Sequence, residues 1–126
     1  LLGISEQRDL LAHPKCGASW EGFALREIIR LVGAGRDEAY FWGLHSGAEL
    51  DLMTVHDGRR LGFEVKLTRS PKVTASMRTA QAALGLAHLY VVCHAEGADK
   101  PWPLADGISA LPLQALGSLR DELANA

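Results

Sequence analysis

Cysteine is nearly missing from this chain: Cys16 and Cys93 are the only two in 126 residues. Two thiols give no disulfide framework, and Cys93, inside the run Leu89-Tyr90-Val91-Val92-Cys93, reads as a small buried hydrophobe. A reducing cytoplasm is the expected compartment. Long hydrophobic runs are missing too. No stretch approaches the roughly 20 residues needed to span a bilayer, and no basic-then-apolar signal segment opens the sequence, so no membrane partner is expected. Positive charge is not in excess, since the formal net charge is -2, and the total does not announce a nucleic-acid binder. The histidines His13, His45, His56, His88 and His94 lack metal-ligand spacing and read as surface or turn residues. Gly33-Ala34-Gly35 is followed by no Gly-Lys-Ser/Thr, which excludes a phosphate-binding loop. No serine carries a histidine base motif around it, so nucleophilic hydrolase chemistry has no support.

What is present describes one globular domain, 48% hydrophobic and 22% charged, long enough to bury about two-thirds of its unfolded surface. The sequence does not begin with methionine. Leu1 to His13 reads as an amphipathic turn or helix, the tail of a preceding module, and the whole as a fragment of a larger protein. Ser19 is a candidate N-cap for a helix whose apolar face is Trp20, Phe23, Ala24, Ile28 and Leu31, ended by Gly33-Ala34-Gly35. On that reading Trp20 and Phe23 cover the sheet, and Phe23→Ala costs about 3–5 kcal/mol. Ala39 to Leu44 is a strand. Thr74 caps a second helix, Ala75 to Leu84, stopped by Gly85. The apolar run Leu89 to Cys93 fits a strand buried on both faces, reached by a crossover to a parallel neighbour. The tail, with Pro101, Pro103, a short Ile108 to Leu111 segment and a helix from Pro112, reads as accessory cover. The order helix, three strands, helix, strand gives an α/β sandwich with a mixed sheet.

The chemistry concentrates between Gly47 and Lys66. Two β-branched runs, Glu49 to Val55 and Arg60 to Leu67, flank His56-Asp57-Gly58-Arg59, and Asp-Gly between alternating runs is a strong hairpin signal. Strand alternation puts Glu49 and Asp51 on one face with Leu50 and Leu52 on the other, and Glu64 and Lys66 opposite Phe63, Val65 and Leu67. Asp51, Glu64 and Lys66 then meet on adjacent strands. By themselves they could be a cross-strand ion pair worth a few tenths of a kcal/mol, or a cradle for a hard cation and an activated water. Across the same region Arg59, Arg60, Lys66, Arg69, Lys72 and Arg78 face one acid, Glu64, a basic patch suited to a phosphate backbone or a merely solvated face.

Asp51, a turn, and then Glu64-Val65-Lys66 on an apolar strand resembles the motif of the PD-(D/E)xK nuclease superfamily. The wider text, WEGFALREII on a helix, then AYFWGLHSGAELDL, then GFEVK, resembles the C-terminal domain of unknown function found behind an AAA-type ATPase module in many bacterial proteins. The likeness runs from about Leu11 to Leu116. It implies a restriction-endonuclease-like αβββαβ core with a mixed central sheet flanked by helices. It also implies a metal-dependent nuclease acting on nucleic acid, DNA first, with an ATPase module in the parent chain. Asp51 and Glu64 would hold Mg²⁺ or Mn²⁺ with the Val65 carbonyl. Lys66 would orient or deprotonate the water, and Glu21 would assist the metal from the helix. By the basic-patch reading, Arg59, Arg60, Arg69, Lys72 and Arg78 would bind the nucleic acid. Leu50 stands where the superfamily's name has proline. Glu27 is a lesser candidate than Glu21, and Glu49 is an unassigned acid. RecB-like relatives carry a glutamine and, four residues on, a tyrosine in the helix after the lysine; here Gln81 is followed by Gly85. Alternatives are a catalytically silent nuclease-fold module for DNA or protein, and a structural dimerisation domain; a homodimer stays open.

Overall fold

The computed structural model describes residues 2–3, 14–33, 39–45 and 47–124. In chain order the elements are β1 (Leu2–Gly3), α1 (Trp20–Ile28), β2 (Ala39–Gly43), β3 (Glu49–His56), β4 (Arg59–Lys66), α2 (Ala75–Leu84), β5 (His88–Cys93), β6 (Trp102–Ala105), β7 (Ile108–Pro112) and α3 (Leu116–Ala124). The strands form one mixed sheet in the order β1-β2-β3-β4-β5-β7-β6. The first four pair antiparallel, β5 lies parallel to β4, β7 lies parallel to β5, and β6 closes the edge antiparallel to β7. Among the described residues no helix is long and apolar enough to cross a membrane.

Local chemistry accounts for the boundaries. The β3–β4 turn places both Asp57 and Gly58 at positive φ, 50° and 76°, with His56 paired to Arg59. This is the two-residue reversal whose twist matches that of the strands. Ser19 Oγ accepts from Gly22 N at 3.1 Å and caps α1. Thr74 Oγ1 accepts from Met77 N at 3.2 Å and caps α2, which ends on left-handed Gly85 (φ 61°). The helical path from α1 runs on to Gly33 as a wider turn. Ala34 and Gly35, and most of the helix expected over residues 1–13, lie outside the described residues.

The sheet is buried on both sides. One core packs Leu25, Ile28, Ile29 and Val32 of the first helical run, with Leu116 and Leu119 of α3, onto Phe41, Leu52, Phe63, Val65, Val92 and Leu111. The other packs Met77, Ala80 and Leu84 of α2 onto Leu50, Met53, Leu89, Val91 and Ile108. Three expectations are corrected here. The first concerns α1, which carries two overlapping apolar stripes. The sheet takes the aliphatic one, Leu25-Ile28-Ile29-Val32, at the i, i+3, i+4, i+7 spacing. Phe23, 200° round the helix from Leu25, stays 45% exposed. The second concerns the tail, which is part of the sheet: β7 is an interior strand, and Pro103 sits on edge strand β6, where a missing N–H costs nothing. The third concerns His56, which is buried, its Nε2 3.1 Å from the Leu123 carbonyl.

The start of α1 is pressed onto the loop before it. Arg26 Nη1 donates to the carbonyls of Cys16 and Gly17 at 2.6 Å each, and a Cβ on Gly22 would collide with the Gly17 backbone. Gly22→Ala is expected to lower the unfolding free energy by about 3 kcal/mol. Phe23→Ala, at an exposed site, should cost under about 1 kcal/mol. Denaturant titration of both variants checks this. Equal losses would mean that the phenylalanine stripe, not the aliphatic one, faces the sheet.

Candidate active site

The alternation expected for β3 breaks at one place. Tyr40 pairs with Met53, but Trp42 pairs with Leu50, so β3 carries an extra residue between those partners. This is a β-bulge, and it switches the faces of the flanking side chains. Leu50 therefore packs on the α2 side and Leu52 on the α1 side, not together as simple alternation requires. Asp51 occupies the bulge between them.

Next to the bulge, side chains replace backbone bonds between β3 and β4. Regular pairing is found from Leu52 and Phe63 toward the turn. Beyond it, Asp51 N donates to Glu64 Oε1 at 3.0 Å and Val65 N donates to Asp51 Oδ2 at 2.8 Å. The two carboxylates are thus knotted to neighbouring strands: Glu64 accepts from the Asp51 N–H, and Asp51 accepts from the Val65 N–H beside Glu64. Lys66 Nζ stands 3.7 Å from Glu64 Oε2. In an extended strand a residue's N–H and C=O leave on the same edge, so the Val65 carbonyl faces the gap that its N–H spans.

These groups open into a cleft of about 580 Å³ at the end of the sheet, lined by Lys15, Glu21, Leu25, Gly47, Glu49, Asp51, Glu64, Val65, Lys66, Thr74 and Ser76. It lies at the carboxyl ends of the parallel strands, where α/β sheets usually receive ligands. Glu21 is one helical turn before Leu25 and enters from the α1 layer. The first turn of α2 closes the other side: Ser76 Oγ accepts from Glu49 N at 3.0 Å and donates to Glu49 O at 3.1 Å. Glu27 points away, to the groove shared by Trp20, Phe23 and Leu31, and pairs with Arg30 at 3.7 Å.

The expected cations divide. Arg59 and Arg60 begin β4, and the eight residues from Arg59 to Lys66 span roughly 23 Å, so the structure does not bring them to the cleft. Arg60 instead donates to the Leu84 carbonyl at 3.0 Å, at the end of α2. Arg69, Lys72 and Arg78 are exposed and do not line the cleft. Gln81 reaches the β6–β7 turn, donating to the Asp106 carbonyl at 3.0 Å. Sequence reasoning missed Lys15, Thr74 and Ser76 as cleft residues, and no local motif marks them. It also missed the pair His88 Nε2 and Ser109 Oγ, 2.8 Å apart on parallel strands.

The DUF4143 family, described as a domain of unknown function, matches residues 16–116. The chain belongs to this family. Two relatives, the uncharacterized proteins Mb2031c of Mycobacterium bovis and Rv2008c of Mycobacterium tuberculosis, are each 41% identical over 112 residues, 89% of this chain. Those residues are 24% of each relative, so this DUF4143 domain spans about a quarter of their length. No solved structure matches it.

Electrostatically, the cleft of this DUF4143 domain is unbalanced. Glu64 is only 8% exposed, and its carboxyl is pushed from 4.5 up to about 7, first by burial and then by the charge of Asp51, with the Asp51 N–H and Lys66 pulling the other way. One buried and one half-buried carboxylate with a backbone carbonyl form a hard-oxygen donor set, the kind that Mg²⁺ and Mn²⁺ accept. Among the described residues no three His, Cys, Asp or Glu side chains converge as a cation site, so any ion held here would keep several waters.

A raised folded-state pKa means the folded protein holds the Glu64 proton more tightly than the unfolded chain does. That contribution to stability is complete below about pH 4.5 and is lost as pH rises through about 7. In chelator, wild-type stability should fall across this window. Glu64→Gln should flatten the dependence and be more stable than wild type at pH 8 by about 1–3 kcal/mol, as urea unfolding at several pH values would read. A variant weaker than wild type at pH 8 would contradict this account of the cleft.

Proposed function

We propose that this domain is a metal-dependent nuclease with a restriction-endonuclease-like core. It would hydrolyse phosphodiester bonds in nucleic acid, DNA in the first place, as the C-terminal part of a longer protein carrying an AAA-type ATPase module. One observation carries the reading: Asp51 and Glu64, each accepting a backbone N–H from the other's strand at the β3 bulge, share a cleft with Lys66 and Glu21. An ion pair serving stability alone has no need of a buried carboxylate held near pKa 7. That three quarters of each mycobacterial relative lies outside the match leaves room for a further module.

Asp51, Glu64 and the Val65 carbonyl would hold Mg²⁺ or Mn²⁺, which, when bound, lowers the pKa of water and offsets charge on the phosphate. The remaining steps belong to the chain. Glu64 must be ionised to serve as a ligand, so binding competes with its proton. Lys66, its side chain 46% exposed and anchored beside Glu64, can reach a water or a phosphate oxygen in the cleft without leaving its carboxylate partner. Glu21, opposite, can accept a hydrogen bond from that water and so aim it. The runner-up is a silent nuclease-fold module that binds nucleic acid or protein without cutting. The lack of a third converging metal-type ligand among the described residues favours it.

Purified domain incubated with labelled single-stranded, duplex and branched DNA and with RNA should cut in Mg²⁺ or Mn²⁺ and not in chelator. Ca²⁺ is larger and coordinates more loosely, so it should bind without supporting turnover. Metal affinity should climb as pH rises toward about 7, because the ion must displace the Glu64 proton. Asp51→Asn and Lys66→Ala should each cut turnover by at least about 100-fold while nucleic-acid binding persists. Binding without cutting under every metal would establish the silent module instead.

A further inference from the structure

Among the described residues two cations line the cleft, Lys15 and Lys66, against four acids, Glu21, Glu49, Asp51 and Glu64. Lys66 is engaged with Glu64. Lys15 arrives from the other layer, on the short turn Pro14–Cys16 before α1. Its backbone is not loose: Arg26 grips the carbonyls of Cys16 and Gly17, which ties the turn to the helix that carries Glu21. Its Nζ lies 3.6 Å from Glu49 Oε2 and 5.2 Å from the centre of the Phe41 ring. The ring steadies the ammonium from below. Glu49 holds it loosely: its side chain is 65% exposed against 30% for Lys15, and an exposed pair of this kind is worth about 0–1 kcal/mol.

The geometry points to Lys15 as a phosphate-binding residue of the nuclease site. Glu49 parks the ammonium at the rim; an entering phosphodiester displaces Glu49, which turns to solvent, and takes a charge-assisted hydrogen bond from Lys15 on the side of the cleft away from Lys66. The substrate phosphate is then gripped from the sheet by Lys66 and from the α1 layer by Lys15. Among the described lining residues, the α1 wall without Lys15 would present a polyanion with the acid Glu21 and no cation. This inference rests on the nuclease reading, and its test separates the two.

The assay uses the whole chain with fluorescent single-stranded and duplex DNA, with Ca²⁺ for binding and Mg²⁺ or Mn²⁺ for turnover. Lys15→Gln should raise Kd and KM about tenfold, the loss of one charged hydrogen bond, with kcat within about threefold. The slope of log Kd against log salt should fall by about 1. Lys15→Arg should recover most of the binding. Glu49→Gln should tighten binding in the wild-type background and do so less with Lys15→Gln. Wild type that cuts, with Lys15→Gln matching it in Kd, KM and salt slope, overturns the role of Lys15 and leaves the nuclease reading standing. Loss of kcat at unchanged KM also overturns it. If Lys15→Gln melts well below wild type, Glu49→Gln decides, and no tightening there refutes the displacement. Wild type that neither binds nor cuts removes both proposals together.

Discussion

Everything near the cleft depends on the exchange between Asp51 and Glu64, in which each carboxylate takes a backbone N–H that the other's strand would ordinarily give to a carbonyl. A β-ladder interrupted at its end leaves unpaired donors, and buried unpaired donors are costly. Here the bulge creates the gap, and two acids fill it at 3.0 and 2.8 Å. The arrangement fixes the acids more rigidly than rotamer preference could, since each is held by backbone that the sheet has already immobilised. It also crowds two negative charges into a buried space, which is why Glu64 is driven toward neutrality. Structure and chemistry are the same fact at this point: the gap needs acceptors, and the acceptors need a counter-charge.

The two layers contribute unequally. The α2 side supplies scaffolding, with Ser76 bracketing the Glu49 backbone from both donor and acceptor directions. The α1 side supplies reach, placing Glu21 and Lys15 at the rim from a helix start that Gly22 and Arg26 hold against the preceding loop. A close backbone approach at Gly22 sets how near α1 can come to its own leading turn, and so where both of those side chains stand.

Much of this was legible from residue order. The capping residues Ser19 and Thr74, the Asp57-Gly58 reversal and the left-handed stop at Gly85 are local chemistry, and local chemistry is written in neighbouring letters. The grouping of Asp51, Glu64 and Lys66 followed from strand spacing, although for an incomplete reason: simple alternation put Leu50 and Leu52 on one face, and the bulge separates them. Nothing in the letters marks a bulge there, because its cause is the pairing of β3 with both neighbours at once. On α1 the expected Ala24 and Ile28 are buried and Trp20 and Leu31 pack against the core. Phe23 was misread because aromatic and aliphatic stripes overlap, and the choice between them belongs to the sheet. Lys15, Thr74 and Ser76 were invisible as site residues because they come from separate segments that meet only in three dimensions. Arg59 and Arg60, close to Glu64 in sequence, stand at the other end of the strand, so nearness along the chain misled.

The position of β7 has a consequence for how the chain is made. Its partner β5 is apolar through Leu89, Val91, Val92 and Cys93, all fully buried, and one of its edges is closed by β7 alone. During synthesis the first four strands, α1 and α2 can assemble while that edge still offers open amide and carbonyl groups beside greasy side chains, the kind of surface that joins other chains. The interval is short. Gly97, Gly107 and the edge proline Pro103 turn the chain back within some fifteen residues, and Gln81 is already waiting on α2 to catch the β6–β7 turn. The helix that forms one wall of the cleft thus also serves as the landing point for the segment that seals the sheet.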